Sequence, residues 1–214
     1  MASRIRTSLA IVSLAAAGLA LAACGGSAAQ PKAAEAATRS CPKAWLTGWQ
    51  RLANQIGAPV YCPSWMPAPL DAKIGQGFAS TKSLDPKTHA YLVSFAHVDS
   101  DSGITGEVHV NLRGYPGSTR IPTCEDTLTV KGVTKHTKIP CFADPRFTRR
   151  LGGAKVTAYT VNQGADQWHV LYAWRHDGSL YTVSEHVAPP FTYRQVVHNL
   201  DRLLHGLVLV RPSG

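Results

Sequence analysis

The chain has 214 residues, is 44% hydrophobic and 16% charged, and carries 14 prolines and 18 glycines, which suits one turn-rich domain with a packed core plus extra segments. Lys+Arg exceed Asp+Glu by 22 to 13, a formal net charge of +9. The positive residues are scattered, with no run longer than Arg149-Arg150, which argues against a nucleic-acid-binding stripe and for attraction to anionic lipid headgroups or cell-wall polymers.

The first 24 residues indicate a destination. Arg4 and Arg6 form a positive start, and Leu9 to Ala23 is almost wholly apolar and small. That run is shorter than the roughly 20 residues of a membrane span and suits the core of a signal peptide. It ends in Leu21-Ala22-Ala23-Cys24, followed by "GGSAAQ", and these four residues resemble the bacterial lipobox. In that motif small residues fit the signal peptidase, the cysteine thiol accepts diacylglycerol, and cleavage leaves the cysteine as the new N-terminus. The expectation is a signal peptide over 1–23, lipidation at Cys24, and a membrane-anchored chain on the extracytoplasmic face. An ordinary signal peptide with a chance cysteine is the alternative. Two or more acyl chains anchor stably where one is marginal. Residues 24–40 are small and polar, a tether spanning roughly 20–25 Å, and 41–214 is read as one globular domain.

Without Cys24, an even set remains: Cys41, Cys62, Cys124 and Cys141. In an exported protein this reads as two disulfides. Three connectivities are open, and sequence neighbours favour Cys41–Cys62 and Cys124–Cys141. A four-cysteine zinc site is the alternative, but no C-x₂-C pair supports it.

In chain order, "CPKAWLTGWQRLANQIG" places Trp45, Trp49, Leu52, Ala53 and Ile56 at helical spacing, with Pro42 suited to the first turn and Gly57 to the stop. The proline-rich stretch "APVYCPSWMPAPLDAKIG" is expected to be extended and irregular. The runs 91–98 and 106–114 alternate as strands of one hairpin, with Val108, Val110 and Leu112 on one side and Glu107, His109, Asn111 and Arg113 on the other. Further strands are expected near Leu128–Val130 and Lys155–Val161, with "CEDTLTVKGVTKHTKIPC" as a small loop or hairpin. In "WHVLYAWRHDGSLYTVSEHV", Asp177-Gly178 is a two-residue turn signal. That turn puts Trp168, Val170, Tyr172 and Trp174 on the core face with Tyr181, Val183 and Val187. His169, Leu171, Ala173 and Arg175 then lie against Leu180, Thr182, Ser184 and His186, with His169 opposite His186. After Pro189-Pro190, Val196, Val197, Leu200, Leu203, Leu204 and Leu207 follow a 3.6-residue period, and "LVLVRP" is extended. The predicted class is α+β: a mostly antiparallel sheet with an N-terminal and a C-terminal helix packed on it, stapled by two disulfides.

The stretches "VYCPSWMPAPLDAKIG", "YLVSFAH", "VHVNLRGYPG" and "WHVLYAWRHDGSLYTVSEHV" resemble those of a family of secreted lipoproteins of high-GC Gram-positive bacteria that has no assigned activity. Trp174, Gly178, Tyr181 and Ser184 followed by an amphipathic helix also look like extracytoplasmic domains of anti-sigma and sporulation membrane proteins. The resemblance implies a cell-envelope location and a fold. It supplies no catalytic residues.

Candidate chemistry is sparse. His169 and His186 on neighbouring strands are the best metal candidates, for Zn²⁺ or Cu²⁺, but the sequence places no third ligand beside them. His97, His109 and Glu107 are expected near one another on the first hairpin, where zinc or general-base chemistry competes with plain polar decoration. "DSDSGITGE", with Asp99, Asp101 and Glu107, lacks the spacing of an EF-hand. Ser40-Cys41-Pro42-Lys43 spells S-x-x-K without its partner motifs. The leading expectation is a non-enzymatic binding or scaffold module of the cell envelope, without cofactor. It would engage envelope proteins, cell-wall polymer or lipid through the sheet face opposite the helices or through residues 59–70. The alternatives are a carrier of lipid or another apolar ligand, lined by a helix over 191–205, and a metal-assisted hydrolase built on the histidines.

Overall fold

The computed structural model describes residues 39–75, 79–99 and 106–213. The signal segment, Cys24, the tether up to residue 38, and Asp101 of the calcium-loop reading lie outside them. Among the described residues no helix is long and apolar enough to cross a membrane.

The first helix, α1 (Lys43–Ile56), buries Trp49, Leu52, Ala53 and Ile56, the stripe that its periodicity demands. Pro42 precedes it and Gly57, at φ 62°, ends it in the left-handed conformation that glycine adopts at little cost. The proline-rich stretch is less irregular than expected. It contributes β1 (Val60–Pro63), which pairs antiparallel with β11 (Leu207–Val210) at the chain's end. Leu207, which fits the helical period but also opens the expected extended segment "LVLVRP", belongs to that strand.

The main sheet has seven antiparallel strands in the order β2-β3-β4-β10-β9-β8-β7. They are β2 (Ala79–Leu84), β3 (Tyr91–Asp99), β4 (Gly106–Tyr115), β7 (Phe142–Leu151), β8 (Ala154–Asn162), β9 (His169–His176) and β10 (Ser179–His186). Two of them, β2 and β7, carry too many polar residues to be found by alternation of apolar ones. The hairpin β5 (Thr123–Val130) and β6 (Val133–Pro140) forms a separate two-stranded sheet. The last helix, α2 (Tyr193–His205), starts with a capping box between Thr192 and Gln195.

Both helices cover one face of the sheet. Trp49 of α1 meets Phe95 of β3 at 6.4 Å between ring centroids, and α2 lies over β9 and β10. The core between them holds Val93, Val110, Tyr172, Tyr181, Val183 and Leu200, all buried. Disulfides Cys41–Cys62 and Cys124–Cys141 are both formed. The first ties the start of α1 to β1, and the second closes the root of the β5–β6 hairpin. Chain closure over sequence separations of 21 and 17 residues is worth about 3 kcal/mol each in the loop-entropy account. The α+β class with two packed helices and two disulfides is what the sequence predicted.

Two positions depart from the expected core face. Trp168 is 74% exposed and Val187 is 37% exposed. Trp168 has φ 63°, a left-handed turn that breaks strand alternation just before β9 begins.

Candidate functional site: a polar cluster on the second sheet face

The second face of the sheet is not a plain exposed surface. Alternation on β4 sends Glu107, His109, Asn111 and Arg113 there, and β10 adds Thr182, Ser184 and His186. β9 adds His169, and the register places it opposite His186 as expected. Ser94 enters from β3 opposite Asn111. The connection from β8 to β9, residues 163–168, folds over this face through a short 3-10 turn, Gly164–Asp166.

Asp166 is the anchor of that connection and is only 6% exposed. Its Oδ1 accepts from Ser184 Oγ at 2.6 Å and from Asn111 Nδ2 at 3.0 Å. Arg113 Nε lies 2.9 Å from Oδ2. Asn111 Nδ2 also donates to the Ala165 carbonyl at 2.7 Å. A buried carboxylate met by two neutral donors and a guanidinium is a compensated charge.

Three imidazoles lie beside it. His169 is 4% exposed, and its Nδ1 donates to the Gln167 carbonyl at 2.9 Å. That bond assigns the tautomer and leaves Nε2 as an acceptor, which is buried without a hydrogen-bond partner among the described residues. Glu107 serves the other two: Oε1 is 3.2 Å from His109 Nδ1, and Oε2 is 3.2 Å from His186 Nδ1. Ser94 Oγ is 2.7 Å from His109 Nε2. Ring centroids are 4.9 Å apart for His109 and His169 and 5.1 Å for His169 and His186. Burial pushes His169 down to about 4 and lowers His109, where the Glu107 charge pulls the other way. Both rings are therefore neutral at pH 7.

The structure thus brings together the His169/His186 pair and adds His109, a neighbour that the sequence alone did not place. The rings of His169 and His186 are stacked at 18° between planes, so their in-plane lone pairs run side by side rather than meeting. Among the described residues no three His, Cys, Asp or Glu side chains are disposed to hold a metal ion. The expected grouping of His97 with His109 and Glu107 is corrected. His97 pairs with Val108 and follows Val93 and Phe95 in the alternation of β3, so it falls on the helix-covered face.

Ser94, His109 and Glu107 form a line of hydroxyl, imidazole and carboxylate, the order used to activate a nucleophile. Ser94 is 8% exposed, however, and lies in an interior strand whose ladder runs on both sides, to Thr81 and Asn111. Its flanking strand amides are engaged in those ladders and do not offer an oxyanion site. What the arrangement does is hold the connection 163–168 against the sheet through Asp166 and His169.

A second buried acid lies on the opposite face. Glu185 follows Tyr181 and Val183 in alternation, so it points under α2, where it is 0% exposed. Asn199 Nδ2 donates to its Oε1 at 2.8 Å, while Oε2 has no hydrogen-bond partner among the described residues. Burial raises its carboxyl to about 8. The sequence carried the signal: position 185 continues the core-facing register, and a carboxylate there had to be buried.

Neither expected binding surface is open in the way anticipated. Over the second face lies the 163–168 connection. From residues 59–70, Val60, Cys62, Met66 and Leu70 enter the core, and Trp65 lies under Arg202 at 4.0 Å. Beneath α2, Val196, Leu200 and Leu203 are fully buried, so its apolar stripe is in contact with the sheet rather than lining a void. No family model, curated protein or solved structure matches the chain.

Proposed function

We propose that this chain is a lipid-anchored, extracytoplasmic module of the cell envelope that acts by binding and scaffolding rather than by catalysis. The observation that carries the reading is the fate of the cysteines. Of five in the chain, four are joined in Cys41–Cys62 and Cys124–Cys141, which leaves Cys24 as the remaining thiol. Two disulfides suit an oxidising compartment, and Cys24 closes the Leu-Ala-Ala-Cys frame at the end of a signal-peptide-like run. The described architecture also favours a rigid module. Its helix–sheet interface is filled, and its buried histidines and Asp166 hold a connection in place.

Detergent-phase partitioning with mass spectrometry of the mature chain tests this. The expected result is a chain starting at Cys24, carrying a diacylglyceryl mass, that enters the detergent phase and moves to the aqueous phase as Cys24→Ser. Mature protein in the cytosol, unacylated and with reduced thiols, overturns it.

A further inference from the structure

We propose that the tip of the β5–β6 hairpin is a docking element for an anionic lipid surface. The inference stands on the hairpin and not on Cys24.

The hairpin is an arm. Its strands form a sheet of their own, and among the described residues neither has substantial contact with another element. Each strand has eight residues, a reach of about 26 Å at the usual rise. The Cys124–Cys141 bridge fixes its root to the start of β7, so the arm is a stalk with a defined origin.

Its tip is apolar where solvent would favour polarity. Leu128 is 59% exposed, Val130 54% and Val133 70%. The register pairs Val130 with Val133 and Leu128 with Lys135, and Leu128 and Val130 are two apart on one strand. All four side chains therefore share one face. The other face presents Thr127, Thr129, Thr134 and His136, with Thr129 bonded to Thr134 across the strands. The arm is amphipathic at its end, and its apolar side has no partner among the described residues.

Charge selects the occupant. Residues 127–138, "TLTVKGVTKHTK", hold Lys131, Lys135 and Lys138 and no carboxylate. Lys131 is in the turn itself and Lys135 borders the apolar patch. The acids of the hairpin, Glu125 and Asp126, lie in the root half of β5, Asp126 on the face of Leu128 but on its root side, and Glu125 is engaged by His136 at 2.8 Å. Apolar side chains at a tip rimmed by lysine match a bilayer whose headgroups are anionic: the chains enter the interface while the ammonium groups remain at headgroup level. A second copy of the arm would set lysine against lysine.

The test is co-sedimentation of residues 39–214, which hold both disulfides and every core contact described, with vesicles of phosphatidylcholine alone or mixed with phosphatidylglycerol. Binding is expected to the anionic vesicles only and to weaken with salt. Leu128→Ser/Val130→Ser/Val133→Ser is expected to lower partitioning by about tenfold or more, with an unchanged melting temperature because these side chains support no core. Lys131→Gln/Lys135→Gln is expected to weaken binding as well and is a second, fold-neutral reading. Wild-type protein left in the supernatant overturns the proposal. So does a folded triple variant that sediments like the wild type, or a wild-type dimer in solution that the triple substitution dissociates. Because the fragment lacks Cys24, failure here leaves the anchor question separate.

Discussion

Glu185 offers the sharpest test of the packing described above. Its carboxyl is buried under α2 with one bonded oxygen and one unpartnered oxygen, and burial raises it from 4.5 to about 8. The folded state therefore holds its proton more tightly than the unfolded chain. The resulting stability is fully present below about pH 4.5 and is lost as pH rises through about 8. That window corresponds to roughly 5 kcal/mol of folding free energy. Glu185→Gln keeps an acceptor for Asn199 and cannot ionise. It places an amide nitrogen where Oε2 lacked a partner, a cost of about 1–2 kcal/mol. Urea unfolding at pH 5 should find the variant equal to the wild type or slightly weaker. At pH 8.5 the variant should be the more stable by a few kcal/mol. A stability difference that stays constant within about 1 kcal/mol across this range would refute the assignment of Glu185 as a buried, proton-retaining acid.

On the acid side the sign reverses. His169, held at about 4 against an ordinary 6.5, contributes stability that is present above pH 6.5 and lost as pH falls toward 4. His169→Asn keeps a donor for the Gln167 carbonyl, and in urea titrations it should remove up to about 3 kcal/mol of that acid loss. Asp166→Ala strips the carboxylate that accepts from Asn111 and Ser184 and pairs with Arg113. It should cost about 3–5 kcal/mol, and amide hydrogen exchange should find 163–168 deprotected before the sheet. Gly114→Ala would place a Cβ 2.3 Å from a ring carbon of Tyr91, which is 3% exposed. A loss of about 1–3 kcal/mol in thermal unfolding is expected, and an unchanged melting temperature would mean that this close approach is not rigid.

Much of the local architecture could be read from local rules. Asp177 and Gly178 take φ 46° and 70°, the two left-handed residues that a tight hairpin turn requires. That turn correctly placed Trp174 against Tyr181 and His169 against His186. The same alternation separated Val108, Val110 and Leu112 from His109 and Asn111. It failed at Trp168, where one left-handed residue ends the alternation, and at β2 and β7, whose polar sequences lack an apolar period.

What the sequence by itself determined were features set by neighbours along the chain. These are the two helices, the register of the β9–β10 hairpin and the face on which His109, His169 and His186 fall, while the cysteine pairing was favoured by sequence proximity and decided by the fold. Backbone geometry repeats every 2 or 3.6 residues, so a few side chains suffice to reveal it. Only the tertiary structure decided that β4 lies beside β10, that Asp166 reaches Asn111 across 55 residues, and that Asn199 covers Glu185. Those contacts form because burying the sheet's two faces is collectively favourable. That driving force is non-directional and leaves no period in the sequence, so the polar cluster it assembles emerges only when the strands are brought side by side.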